Sequence, residues 1–515
     1  MKKVLSILLA LLMVLSLSVT LLVSCNEDPN TPGVDNPGVN NPGGTTGKVE
    51  REELVFPEEY DFTTGGEKAS FHILQWSVDN LNEAGTDWIP WEEGHVDADD
   101  GDLISKVILD RNALAEETYG VEISTEYVGV NAGYTTRVRN DRSSTSNEFQ
   151  LLTIRSLQAW ELVGEEMMAD MNLYAEQGIL HTDKPWWSQD AVASYTLGAS
   201  LYLCSTEMLL RDKGATTALY FNPSIAADYE DVPDLYALVE EKAWTWEVML
   251  DAASIVATSL DNDDLMNSVE DMWGVAGSDD DTQMLFNGFG FRFAHIDEDG
   301  YVVYDFDTDE DAILAMIDIH EMFHYADWNT NRIDNKLEGS DSTTSGLFES
   351  DHALFQSAAL VKHTVTKLRN MKTDYGILPM PLYDEDQDNY SSLVWVHHDS
   401  VVGIPAGATN PEMCAVILEA LSYEGCYSVI PILYDTILYG RAAKTAEAKR
   451  SLQIIFETRS YDPGQYWDKP EGLQDQLLRL CNKGTSDIQS LITSYIGQTY
   501  EEIEKVNEFV NKKYE

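Results

Sequence analysis

An α/β architecture with more than one core is what this sequence predicts, and three observations carry that expectation. The chain has 515 residues with 43% hydrophobic content, enough to fill two or three cores. Apolar runs at Ala69–Trp76, Val121–Tyr127 and Phe149–Ile154 have strand lengths, and between the first two lies a helical pattern of Leu103, Val107, Ile108 and Leu114. Strand, helix, strand within that length is a βαβ unit, so the first sheet is expected to be open and mostly parallel.

The first residues carry a separate message. Met1-Lys2-Lys3 is a positive start and Val4–Val23 is an almost unbroken apolar run. About 20 apolar residues can span a bilayer, so a transmembrane anchor is the competing reading. Leu22-Val23-Ser24-Cys25 decides for a signal peptide over residues 1–24, because it looks like a lipobox, in which the cysteine after small residues is diacylated. Cys25 is therefore the expected lipidation site, and the chain beyond it is expected outside the cytoplasm, held to the cell membrane by acyl chains. Residues 25–66 open with Asn-Pro-Gly repeats such as Asn36-Pro37-Gly38 and read as a disordered tether.

The body follows in order. Gly120 stands where a helix starting near Leu103 would end, as glycine does at a C-cap. Open parallel sheets bind ligands beyond the carboxyl ends of their strands, which nominates Trp76 and Asp79 after the first strand and Arg155 and Trp160 after the third. Tyr195–Leu203 and Ala218–Pro223 mark a passage to a second lobe, and Thr245 is placed to cap a helix running to Val256. Ile377-Leu378-Pro379-Met380-Pro381 is a strand end stopped by prolines, and Ser400–Ala406 is another strand-like run. Pro411–Ser422 reads as a helix, with further helices to the C-terminus.

Several pieces in this order are similar to extracellular solute-binding proteins of the family 1 type, the receptors of bacterial carbohydrate ABC importers. They are Tyr220-Phe221-Asn222, Trp244-Thr245-Trp246, Trp273-Gly274, Phe286-Asn287-Gly288-Phe289-Gly290, the returning stretch from Gly346 to Ala408, and two later steps ending in Tyr434-Asp435 and Arg459-Ser460-Tyr461-Asp462. The resemblance implies a two-lobed, periplasmic-binding-protein-like fold of type II, each lobe a mostly parallel sheet flanked by helices, with extra C-terminal helices. It implies lobe 1 over residues 67–195 with 360–399 returning to it, and lobe 2 over 196–359 with 400–515 returning. Near the second crossing it adds Trp395 and Asp399 as ligand contacts, and Asn287 joins them from its segment. The implied activity is capture of a sugar or oligosaccharide by a monomer that delivers it to permease subunits. A receptor for a peptide or other polar metabolite is the alternative within the same fold. No enzymatic role and no cofactor are implied.

Charge and motifs bound these expectations. A formal net charge of −56 repels a phosphate backbone, which argues against nucleic acid as a partner and favours a neutral solute. Twelve Trp and 25 Tyr suit sugar rings, although cores use aromatics too. His320-Glu321-Met322-Phe323-His324 matches H-E-x-x-H, which would make an extracellular zinc peptidase with His320 and His324 as ligands. Ile313, Met316 and Ile317 share the face of those histidines, so an amphipathic core helix explains them as well, and Asp327 and Thr330 occupy positions where an extended zinc motif needs glycine and histidine. The acidic loop Asp384–Asn389 lacks the turn glycine and the twelfth-position glutamate of a calcium loop. Cys204, Cys414, Cys426 and Cys481 give no pairing from their spacing.

Overall fold

The structure is a computed structural model that describes residues 51–77, 103–130, 133–144, 146–260, 265–278, 280–330, 345–364, 366–439, 445–467, 472–480 and 487–514. All of these fall in one compact unit. Cys25, Asp79 and Cys481 lie outside the described residues. Cys204, Cys414 and Cys426 are buried free thiols.

Two four-stranded sheets organise the body. In the first, β1 (Ala69–Ser77) is parallel to β2 (Val121–Gly129) along its whole length and to β3 (Leu151–Ile154) at Ile73–Gln75. Helix α1 (Leu103–Tyr119) links β1 to β2 as the apolar spacing predicts, and Gly120 follows it with φ 67°. A side chain at Gly120 would also strike Asp61 and Thr63, so two separate constraints require glycine there. Helix α2 (Ser156–Gly164) starts directly after β3.

The second sheet contains β4 (Thr217–Phe221), β5 (Trp273–Ala276), β6 (Ala353–Leu360) and β7 (Gly376–Leu378), in the order β7-β4-β6-β5. β6 is parallel to β5, but β4 is antiparallel to both β6 and β7. This sheet is thus mixed where a mostly parallel one was expected. The cause is that β4 enters straight from the other lobe and lies between two strands that run the opposite way. Helix α3 (Trp246–Val256) begins after Thr245 as expected, although the threonine side chain makes no capping bond. Helices α4 (Asp281–Gly288) and α5 (Glu310–Tyr325) follow, and α5 carries the H-E-x-x-H segment with His320 fully buried. The side chain of His324 lies outside the described residues.

Three short strands complete the connections: β8 (Ser392–Leu393), β9 (Val401–Gly403) and β10 (Arg459–Ser460). β9 pairs with β3 in the first sheet, whereas β7 pairs with β4 in the second. The expected return of residues 360–399 to lobe 1 and of 400 onward to lobe 2 is therefore inverted at both strands. A buried run of three residues fits any sheet, and its partner is fixed only by tertiary pairing. The first crossing also comes later than expected, since Cys204 still bridges Val402 beside the first sheet and β4 starts at Thr217.

The C-terminal helices join the two sheets. α6 (Pro411–Glu424), capped by Asn410 on the Met413 amide, runs through a π-helical turn at Gly425–Val429 into α7 (Ile430–Tyr439). Ile430 and Leu433 share one cluster with Ile104 and Ile108 of α1 and with Tyr220 and Ile377 of the second sheet. A side chain at Gly425 would meet the Glu207 carbonyl, so the turn sits directly on the first crossing. α8 (Leu473–Leu480) and α9 (Ile488–Tyr514) end the chain.

Residues 51–66 correct the tether expectation. Leu54, Phe56, Tyr60 and Phe62 pack against the core, and the Arg51 guanidinium lies 4.9 Å over the Tyr423 ring while pairing with Glu424. Phe56 meets Tyr119 edge-on at 5.9 Å. The segment contains enough apolar surface to offset the entropy of ordering it.

Candidate ligand-binding site

The carboxyl ends of β1 and β3 meet both crossings. Trp76, near the end of β1, is fully buried, and its Nε1–H donates to Ser400 Oγ at 2.7 Å. Arg211 of the first crossing donates from Nη1 to the Trp76 carbonyl at 2.9 Å, with its guanidinium carbon 4.3 Å from the indole centroid. One indole thus touches both connections between the sheets. A cation over an indole face adds about 0.5–2 kcal/mol where water is excluded.

Just beyond β3, Arg155 donates from Nε to Gln158 Oε1 at 2.7 Å and from Nη1 to the His397 carbonyl at 3.3 Å. The next residue, Ser156, donates its amide to Asp399 Oδ1 at 3.0 Å. Asp399 therefore caps the first turn of α2 from the second crossing. Burial pushes its carboxyl up to about 8, against the opposing pull of Ser156 and Arg155. At neutral pH it is mostly protonated and adds little negative charge.

Trp160 on α2 packs beside Tyr195 at 5.7 Å and Tyr466 at 5.9 Å, and the two tyrosine hydroxyls share a 2.5 Å hydrogen bond. Trp395 donates its amide to the Ala215 carbonyl at 2.9 Å, tying the second crossing to the first, and its ring lies 5.1 Å from His397. His397 is solvent-exposed, yet desolvation, with help from Arg155, lowers its imidazole to about 4. Lys362, in the turn after β6, places Nζ 3.1 Å from His398 Nδ1.

Beneath these groups lies a buried ionic network. Lys213 Nζ is 3.0 Å from Asp212 and 3.3 Å from Glu207, and Arg459 of β10 is 3.3 Å from Asp212 and 3.5 Å from Glu207. Two cations and two carboxylates leave no formal excess charge, which is the condition for burying them at bearable cost. The network fastens the first crossing to β10, and β10 pairs with β8 at the start of the second.

Of the residues nominated from sequence, the structure brings Trp76, Arg155, Trp160, Trp395 and Asp399 into this one region. Asn287 belongs elsewhere: its amide donates to the Phe291 carbonyl and to Asp462 Oδ2, each at 2.9 Å. Asp462 also accepts from the Phe293, Ala294 and Gly464 amides, so the pair secures a turn. Arg211, Ser400 and Lys362 were not foreseen. Leu210-Arg211-Asp212-Lys213, four residues with three charges set in an apolar stretch, was the available signal for the first of them.

No known family profile matches this chain, and no curated protein does either. Solved structures do. A sugar transporter from Rhizobium etli in an open conformation matches with TM-score 0.53 and 12% identity, over 86% of this chain and 99% of that one. The sugar-binding protein MalE of Xanthomonas citri matches with TM-score 0.51 and 11% identity, over 86% and 98%. An ABC substrate-binding protein from Listeria monocytogenes in complex with cycloalternan matches with TM-score 0.50 and 10% identity, over 87% and 99%. At such identities the likeness establishes the fold, which is the periplasmic-binding-protein-like fold.

Proposed function

From that shared fold and the residues gathered at its crossings, we propose that the protein is the solute-capturing receptor of an ABC importer and takes a sugar or oligosaccharide between its two sheets. The observation that carries this reading is the convergence of Trp76, Arg155, Trp160, Trp395 and Asp399 where both crossings pass the carboxyl ends of β1 and β3. Trp76, Trp160, Trp395 and Asp399 are at most 4% exposed and form the packed base of this region, while Arg155 and the exposed His397 offer polar groups for sugar hydroxyls. A solute held by groups on both sheets has higher affinity for the closed form, and that difference drives closure. The closed receptor then presents its ligand to the permease.

Cys25 carries the lipid anchor in this reading, and the residues up to 50 give the body reach from the membrane. The protein binds and releases; it performs no chemistry. A thermal-shift screen against mono- and oligosaccharides tests the proposal. A ligand present at 100 times its Kd stabilises by about 2.7 kcal/mol, so a cognate sugar raises the melting temperature clearly. A screen in which peptides shift the melt and no glycan does would remove the sugar assignment.

A further inference from the structure

The continuous helix formed by α6 and α7 runs through an irregular turn whose cause is written in the sequence. Pro431 stands inside that helix, has no N–H to give, and its ring crowds the carbonyl four residues back, at Tyr427. The chain relieves the conflict by widening the turn just before it, Gly425–Val429, where the Ile430 amide donates to the Gly425 carbonyl five residues back. The Ser428 hydroxyl donates to the Glu424 carbonyl, a back-bond that bends helices further. Buried residues change cores at this turn. Ile417, Leu421 and Cys426 share one cluster with Phe71 and Leu152 of the first sheet, whereas Val429 and Leu433 share the other with Tyr220 and Ile377 of the second. The turn also rests on the first crossing, where Gly425 leaves no room for a side chain against the Glu207 carbonyl and Ser422 Oγ donates to Thr206 Oγ1 at 2.9 Å. From outside, the N-terminal segment lies on the same turn. Arg51 pairs with Glu424, donates from Nε to the Tyr423 hydroxyl at 3.0 Å, and sets its guanidinium carbon 4.9 Å and 5.6 Å from the Tyr423 and Tyr427 ring centroids. Glu52 donates its amide to the Tyr427 hydroxyl at 3.2 Å and accepts from the Tyr423 hydroxyl at its carbonyl at 2.6 Å.

We propose that the Gly425–Val429 turn is a joint between the two cores and that Arg51 and Glu52 clamp it. The device rests on the receptor reading for its purpose, since a helix packed into both cores has to yield somewhere when the sheets open and close. A turn already out of α-helical register, with a proline blocking its repair, yields before the regular turns on either side. The clamp is built from an ion pair and ring contacts on a half-exposed arginine, each weak alone, so it releases without unfolding the body. Docked, the segment stiffens the joint; released, it frees it.

Hydrogen exchange and spin-label distance measurements on the chain from Cys25 onward, with no sugar added, test this. In wild type the amides of residues 425–430 are expected to exchange at least about tenfold faster than those of 414–422. Arg51→Ala is expected to raise exchange at 425–430 a further threefold or so and to leave β1 and β4 unchanged. For the distances, labels are attached through Ser143→Cys, beside the first sheet, and Asp251→Cys, on α3 beside the second, both exposed positions. Cys25→Ser and Cys481→Ser accompany them, and the three buried thiols stay unlabelled. The distance distribution is expected to broaden in Arg51→Ala and to narrow in Pro431→Ala, which restores the missing donor. The wild-type exchange profile stands without any variant, so a misfolded mutant does not spoil it. Uniform exchange through residues 414–434 in wild type, or a distribution unaltered in folded Arg51→Ala, overturns the clamped joint and leaves the sugar receptor standing. Failure of the sugar screen removes the receptor reading and does not touch these measurements.

Discussion

Asp399 shows how one residue links the crossing to the pH response of the whole chain. Its carboxyl titrates near 8 in the folded protein because burial penalises the anion, while in the unfolded chain it titrates in the ordinary carboxylate range. Between those values the folded state holds a proton that the unfolded state has lost. Its favourable contribution is therefore fully present below about pH 4 and is lost as pH rises towards 8. Asp399→Asn keeps the shape and removes the titration. Urea unfolding from pH 4 to pH 9 is expected to show wild type losing stability relative to Asp399→Asn, by up to about 1.4 kcal/mol per pH unit within that window. Parallel curves would mean that the carboxyl is not desolvated as described. Trp76, Arg155 and Trp160 could be placed from sequence because the strand pattern puts them at or just beyond the carboxyl ends of β1 and β3. Arg211 and Lys362 were not, since each arrives from a segment remote in sequence and becomes relevant only through tertiary contact.

Among the elements, the segment 51–66 changes what the N-terminal region does. Composition averaged over 25–66 reads as a tether, but the Asn-Pro-Gly character ends before Arg51, and beyond it Phe56, Tyr60 and Phe62 recur closely enough to bind a surface. The segment lies on Tyr119 at the end of α1 and on Tyr423 and Tyr427 around the end of α6. Phe56 is only half-buried, so Phe56→Ala is expected to cost about 1–2 kcal/mol in urea unfolding, less than a core phenylalanine would. No measurable change would show that the segment is not held to the body. The strands teach a complementary lesson. β1, β2 and α1 were legible because each carries a long periodic pattern, while β7 and β9 have three residues each and were assigned to the wrong sheets.

For the molecule as a whole, two sheets are joined by two crossings that grip each other through Trp395 and Ala215, and the ionic network of Glu207, Asp212, Lys213 and Arg459 stiffens the first of them. Under the receptor proposal, opening and closing would bend the chain at these crossings. The same crossings supply Arg211, Trp395, Asp399 and Ser400, so the proposed site lies where the two sheets are joined. The two-sheet plan was legible from the order of motifs along the chain, and the direction of each return was not. Hydrogen exchange with and without the sugar that stabilises the protein tests the central claim most directly. Added protection is expected at residues 154–160, 205–216 and 392–400, with little change along α9. Protection confined to other surfaces, with those three segments unaltered, would contradict capture of the ligand between the sheets.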